Sequence, residues 1–311
     1  MTSTQKLSKL DKIKNLFLGK GIFVIVMLAP MIIHLLVFWL GVQIEGMALA
    51  FTDEYGKFSL KWFVSVIDSI STGGYDATGF AANIPIAIRN TLIFFAVMVG
   101  SVPLEMFVAY LINKKMLGYK LVRTMLYLPG VISGLMMAIM FQQLIMADGP
   151  LLTLLNGKWG WNIPTPLIMH KPMWVINFFD VWIGLGGDIV IWLGAMGRVP
   201  EELKESAWLD GITPWKEFTK IYFPLIFPTF TTFITLKLVG ILGASGSVLL
   251  FTEGKYGTTT LSYMMFDVVW KGQTSSYNIS SALGLLMTIV TIPLVVAGRL
   301  FLNKFGGEVE Y

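Results

Sequence analysis

The chain has 311 residues, of which 55% are hydrophobic and only 14% charged, and its mean hydropathy is +0.70. That balance places most of it in lipid rather than in a water-soluble core, so the class is a polytopic membrane protein. There is no cysteine and there are two histidines, His34 and His170, which excludes disulfides and thiolate metal sites and argues against a histidine-built metal centre. The net charge of +4 is small; the placement of the lysines and arginines reads as a topology signal rather than as a nucleic-acid-binding one.

Residues 1–20, "MTSTQKLSKLDKIKNLFLGK", carry five lysines ahead of an apolar run from Gly21 to about Gly41. The run is close to the ~20 residues that span a bilayer and longer than a signal-peptide core, so the tail is expected to stay attached rather than be cleaved. Apolar windows of spanning length recur at 21–43, 87–112, 121–146, 174–197, 223–250 and 280–303. Each covers ~30 Å of hydrocarbon at ~1.5 Å per residue. The windows lack the alternation of a membrane barrel, and backbone in lipid must satisfy itself, so the expected fold is all-α with six transmembrane helices. The expected organisation is a basic tail at 1–20, a six-span membrane domain at 21–303 and a short tail at 304–311.

Lysines and arginines favour the N-terminal side of this arrangement by roughly two to one, which predicts both termini in the cytoplasm. The external connections, around 44–86, 147–173 and 251–279, hold Trp62, Trp159, Trp161 and Trp270. These tryptophans read either as interface anchors and packing groups or as contacts to an external partner.

One cytoplasmic stretch is polar and punctuated: "EELKESAWLDGITPWKEFTKIYFPLIFP", residues 201–228. Pro200 suits a helix start, and Glu201 and Glu202 suit the positive end of its dipole. Gly211 suits a left-handed stop, and Thr213 followed by Pro214 reads as a fresh cap and first turn. The spacing predicts two short helices meeting at an angle within a loop at 198–223. Leu203, Ala207 and Asp210 share one face of the first helix, and small Ser206 and Ala207 would admit another backbone.

The order Glu205-Ser206-Ala207, three residues, Gly211, nine residues, Ile221, one residue, Phe223-Pro224 resembles the EAA loop of membrane subunits of ATP-binding-cassette importers. With Pro200-Glu201-Glu202-Leu203, Leu209-Asp210-Gly211 and Pro224-Leu225-Ile226-Phe227-Pro228 it resembles the sugar-importing, maltose-type permeases in particular. "DVWIGLGGDIVIWLGAMGRVP", Asn90-Thr91-Leu92 and Ala50-Phe51-Thr52 extend the likeness, and the ending "RLFLNKFGGEVEY" is similar to the first of that family's two paired permeases. Ser206 and Ile212 stand where alanine is usual, and "TEGKYGTTT" where a Gly-Gly-Pro turn is usual.

The resemblance implies that Glu201, Glu202, Leu203, Glu205, Ser206, Ala207, Leu209, Asp210, Gly211, Ile221 and Pro224 form an element that docks on a separate ATPase, with Glu205 near basic residues. It also implies the partners: a second homologous permease, two ATPase subunits holding ATP and Mg, an extracytoplasmic solute-binding protein and a carbohydrate, in a bacterial or archaeal plasma membrane. The chain has no G-x-x-x-x-G-K-[ST] loop, so it is not expected to be an enzyme or to bind a cofactor itself.

Ionisable groups inside a bilayer cost roughly 2.5–3.5 kcal/mol each on insertion scales, so each asks for an explanation. Here they are His34, Glu105, Asp180, Asp188 and Lys237. Asn177, Asp180, Gly184 and Asp188 fall on one helical face, lining either a solute path or another helix, with Asp180 and Asp188 alternatively pairing with Lys237. Trp182 together with Tyr263, Phe266 or Trp270 would offer flat faces to a sugar. The residues assigned to the path are thus Asn177, Asp180, Trp182, Asp188, Lys237 and Glu105. His34 reads as a packing residue or a path residue.

Gly130 with Gly134, and Gly240, Gly243 and Gly246, read as helix-packing positions or, in the fifth span, as points of bending. The alternative function is a secondary transporter whose buried carboxylates relay ions. It leaves the 201–224 motif unexplained.

Overall fold

The structure, a computed structural model, describes residues 20–72, 80–243, 246–272 and 276–305. The tail expected at 1–20, and all but the start of the tail expected at 304–311, lie outside the described residues. Among the described residues the chain is helical without a strand; its extended pairing is a single bridge between Thr52 and Phe58.

We number the helices α1 (20–50, π-helical at Leu35–Gly41), α2 (Lys61–Thr72), α3 (Phe80–Asn113), α4 (Tyr119–Val131) and α5 (Gly134–Ile145). Then come α6 (Pro172–Met196), α7 (Glu201–Leu209), α8 (Pro214–Val239), α9 (Gly246–Phe251), α10 (Leu261–Trp270) and α11 (Ser276–Phe305). Among the described residues six helical stretches are long and apolar enough to cross a membrane, as expected: Ile22–Ala50, Ile84–Asn113, Gly134–Lys158, Pro172–Met196, Pro214–Val239 and Tyr277–Lys304.

Three of these differ in extent from the sequence windows. The first continues to Ala50, because nothing between Gly41 and Ala50 breaks a helix. The third is interrupted: Ile132 and Ser133 are extended, with ψ of 147° and 131°, where Pro129 and Gly130 leave few good helix formers. The fifth begins at Pro214, so the second of the two short helices is not a separate element but the first turns of α8. It ends in a tighter 3₁₀ turn at Gly240–Gly243 before α9 starts at Gly246. The fifth-span glycines therefore mark a break in the helix, and Gly240 and Gly246 have no neighbour within 4 Å of a would-be Cβ.

The main core lies where α3, α6 and α8 meet, with Met106, Tyr110, Ile189, Trp192, Met196 and Phe233 all buried. Trp192 and Phe233 stack at 4.4 Å. α4 crosses α6 at glycine: a Cβ on Gly186 would lie 2.2 Å from the Leu126 carbonyl oxygen, and Gly130 sits beside Gly186 and Gly187. Gly134, the other half of the G-x-x-x-G, meets nothing.

α1 is different. Between Ile22 and Glu45 every side chain but Ala29 is exposed, including His34, whose ring lies 5.3 Å from that of Phe38 on the same helix. α1 is held at its end, where the half-buried Asn278 amide of α11 donates to the carbonyls of Leu49 (2.9 Å) and Thr52 (3.0 Å). Trp62 is buried and donates to the Thr52 carbonyl at 2.8 Å, whereas Trp159, Trp161 and Trp270 are exposed.

At the end of the bundle where α3 begins, the turn from α9 to α10 is pinned to that helix. The buried Asn90 amide donates to the carbonyls of Gly257 (2.7 Å) and Thr259 (2.9 Å), and the Thr91 hydroxyl accepts from the Leu261 N–H at 3.0 Å. Inside the turn the buried hydroxyls of Thr252 and Thr258 pair at 2.6 Å.

Candidate functional site

The 201–224 segment lies at the opposite end of the bundle, where α3 and α6 end and α8 begins. Pro200 has ψ 136° and caps α7 rather than opening it, and Glu201 and Glu202 occupy the first turn. Lys204 donates to Glu201 at 2.9 Å. Gly211 has φ +64°, the left-handed backbone that a Cβ resists, so α7 ends where the spacing predicts. The N–H groups of Gly211 and Ile212 reach back to the carbonyls of Trp208 and Ala207, both at 3.1 Å. Pro214 follows as the first helical residue of α8; Thr213 precedes it in extended backbone but makes no side-chain cap.

Of Leu203, Ala207 and Asp210, expected to share a packed face, only Ala207 is buried. A nine-residue helix carrying four charges cannot bury a broad face, so it rests on one small side chain. Glu201, Glu202, Glu205, Ser206, Leu209 and Asp210 are exposed, and Trp208 and Leu209 stand 82% and 88% exposed. Ile221 is half-buried against the main core and Pro224 is exposed. A polar cavity of about 360 Å³ separates α7 from the end of α3, lined by Glu201, Glu205, Lys114, Lys115, Lys204 and Trp208 among others.

Glu217 and Tyr222 also line that cavity and belong to a cluster the sequence reading missed. Glu217 is 4% exposed; Lys114 reaches its Oε2 at 2.6 Å, and the Tyr110 hydroxyl lies 3.0 Å from both that oxygen and the Pro214 carbonyl. The Tyr222 hydroxyl lies 3.3 Å from Asn113 Oδ1. Aromatic rings close around it, with Tyr110 5.0 Å from Tyr222 and 5.2 Å from Phe218. The available signal was Phe107, Tyr110 and Lys114 at helical spacing on one face at the end of a span.

The polar residues inside the spans form two groups rather than one. Lys237, in the last turn of α8, lies 2.7 Å from Asp188 on α6 and 3.5 Å from Glu105 on α3. The Ser101 hydroxyl donates to Glu105 at 2.6 Å. Asp188 thus takes the lysine partner considered for it, whereas Asp180 accepts instead from the Ser247 hydroxyl of α9. Asn177 is buried, one turn before Asp180. Trp182 does not join the α10 aromatics: its ring neighbours are Phe141 and Phe179. Tyr263, Phe266 and Trp270 run along α10, with the last two stacked at 5.7 Å, beside a cavity of about 490 Å³. Glu253 and Lys255 also line that cavity, and the hydrogen bond from Lys255 holds the Glu253 carboxyl below the usual carboxylate range. Among the described residues no group of three or more histidines and carboxylates is placed to hold a metal ion.

Residues 83–306 match the family described as "Binding-protein-dependent transport system inner membrane component". The chain is 24% identical over 295 residues to the probable starch degradation products transport system permease protein AmyD of Thermoanaerobacterium thermosulfurigenes, covering 91% of this chain and 95% of that one. It is 26% identical over 231 residues to the lactose transport system permease protein LacF of Rhizobium radiobacter, covering 68% and 75%. A solved bacterial ABC transporter involved in the import of the acidic polysaccharide alginate contains a chain of the same fold, with TM-score 0.77 and 23% identity over 96% of this chain and 99% of that one. The match extends from α3 to the end of α11 and takes in the Gly211 bend and the α3–α6–α8 core. The chain is a multi-pass membrane protein of the binding-protein-dependent transport system inner membrane component family.

Proposed function

We propose that this chain forms half of the membrane path of an ATP-driven carbohydrate importer and docks a separate ATPase on α7. The carrying observation is the exposed helix 201–209, turned sharply by the left-handed Gly211 into the first turns of a membrane span. A chain folding only for itself has no use for Trp208 and Leu209 standing in the open; a groove in a partner would cover them. The carbohydrate assignment is supported by relatives named for starch degradation products and lactose.

In this reading both termini and α7 face the cytoplasm of a bacterial or archaeal cell, and the turn between α9 and α10 faces the solute-binding protein. A second homologous permease completes the path, which accounts for the exposed length of α1. Two ATPase subunits bind Mg-ATP, and closure of that pair moves α7. ATP shifts the path outward only to the extent that it favours the outward arrangement, since a ligand with equal affinity for both states shifts nothing. Asn177, Asp180, Asp188, Glu105 and Lys237 line or brace the path; Trp182 packs beside it.

The test is uptake into proteoliposomes containing the complex copurified through this chain, with its binding protein and a maltooligosaccharide or lactose. Uptake is expected to need ATP and the binding protein and to survive collapse of proton and sodium gradients. Uptake driven by a gradient without ATP would contradict the reading.

A further inference from the structure

We propose that α3 is the connecting rod of the transporter and that Glu217, held by Lys114 and Tyr110, is the joint through which the coupling segment drives it. The inference rests on the reading of 201–224 as the ATPase-coupling segment. It goes beyond that reading by naming the residues that pass the motion on, none of which belongs to the exposed docking face.

Three polar contacts are spread along this one helix. At its end, Lys114 and Tyr110 grip the buried Glu217, four residues into α8 and six beyond the Gly211 bend. Midway, Glu105 meets Lys237, which also holds Asp188 of α6. Toward its other end, about three turns in from Phe80, Asn90 donates to the carbonyls of Gly257 and Thr259 in the turn between α9 and α10. From Asn90 to Lys114 the helix runs about 36 Å at ~1.5 Å per residue, the depth of a bilayer. A displacement of the Gly211 bend therefore reaches the far turn through one helix, without crossing a lipid-filled gap.

The joint has the chemistry of a fixed linkage rather than a sliding one. An apolar contact between α3 and α8 would let the two helices shift by a side chain. A carboxylate held by an ammonium at 2.6 Å and a phenol at 3.0 Å is fixed by two directional bonds, one of them charge-assisted, and a shift between the helices breaks both. The Tyr110 hydroxyl, equidistant from Glu217 and the Pro214 carbonyl, ties the same helix to the first residue of α8. Pro103 removes one of the rod's own hydrogen bonds, and the Glu105–Lys237 contact braces the helix beside that weak point.

The test uses the complete complex with its ATPases and binding protein, and reads solute transported per ATP hydrolysed. The variants are Glu217→Gln, Lys114→Met, the exchange Glu217→Lys with Lys114→Glu, and Tyr110→Phe, which removes one hydroxyl and keeps the ring. The single charge variants are expected to copurify with the ATPase and keep its basal hydrolysis while transport per ATP falls roughly tenfold. Tyr110→Phe is expected to lower it about two- to threefold, and the exchange to recover most of the loss. Wild-type ratios in Glu217→Gln and Tyr110→Phe would overturn the proposal. So would loss of the ATPase from the single variants, which would make Glu217 a docking residue, or an exchange variant that assembles without recovery. A wild-type complex that shows no ATP-driven uptake would defeat the importer reading itself, and the joint with it.

Discussion

Lys237 shows how a charge is tolerated in a membrane span. Alone it would cost roughly 2.5–3.5 kcal/mol at the bilayer centre, but it sits between two carboxylates from two other helices, one of them also bonded by Ser101. Removing it leaves Asp188 and Glu105 facing each other without a counter-charge, which costs more than removing either acid. Lys237→Met is therefore expected to destabilise the chain by about 3–5 kcal/mol, read as a lowered unfolding temperature in detergent. Asp188→Asn in that background should restore part of the loss, and equal, additive effects in the double-mutant cycle would rule out the pairing. Sequence spacing exposed the carboxylate face of α6 and offered Lys237 as a partner. It could not divide the partners, because Asp180 and Asp188 share a face and differ only in height, and height decides that one meets Ser247 and the other Lys237. Nor could spacing give Glu105 its partner, since Lys237 lies on another helix.

At the scale of elements, the α4–α6 crossing depends on Gly186. A side chain there would push into the Leu126 carbonyl, backbone that cannot rotate away, so Gly186→Leu should separate the helices. The expected outcome is a strong drop in folded yield on size-exclusion chromatography, whereas Gly134→Leu, with open space around it, should leave the yield nearly unchanged. Equal behaviour of the two variants would contradict the crossing. The six spans were legible because lipid demands long apolar runs, and the Gly211 stop because a left-handed residue has a strong glycine preference. The break at Ile132–Ser133 was not, since hydropathy is blind to backbone direction, whereas the one at Gly240–Gly243 falls where the fifth-span glycines offered a point of bending. The fusion of the second short helix with α8 was not legible either: Pro224 and Pro228 are residues that ordinarily interrupt a helix, yet the chain stays helical from Pro214 to Val239, through a π-helical turn at Phe218–Tyr222 just ahead of Pro224.

For the whole molecule, the function we propose has an exposed polar helix at one end governing a path whose other end is turned toward a binding protein. Within the 201–224 motif the start of α7 and its stop at Gly211 were readable, because a helix N-terminus and a left-handed residue each favour particular side chains. The joint beneath it was not, because Glu217 owes its burial to Tyr110 and Lys114, about a hundred residues earlier in the chain. The most direct measurement is solute-stimulated ATP hydrolysis and uptake by the reconstituted complex carrying Glu205→Ala or Gly211→Pro. Proline cannot adopt φ +64°, so the second change unmakes the bend without altering the spans. The account predicts that both variants insert normally while uptake falls at least tenfold, through a lost ATPase or through hydrolysis that no longer drives transport. Full ATP-driven uptake with the bend removed and Glu205 gone would contradict it.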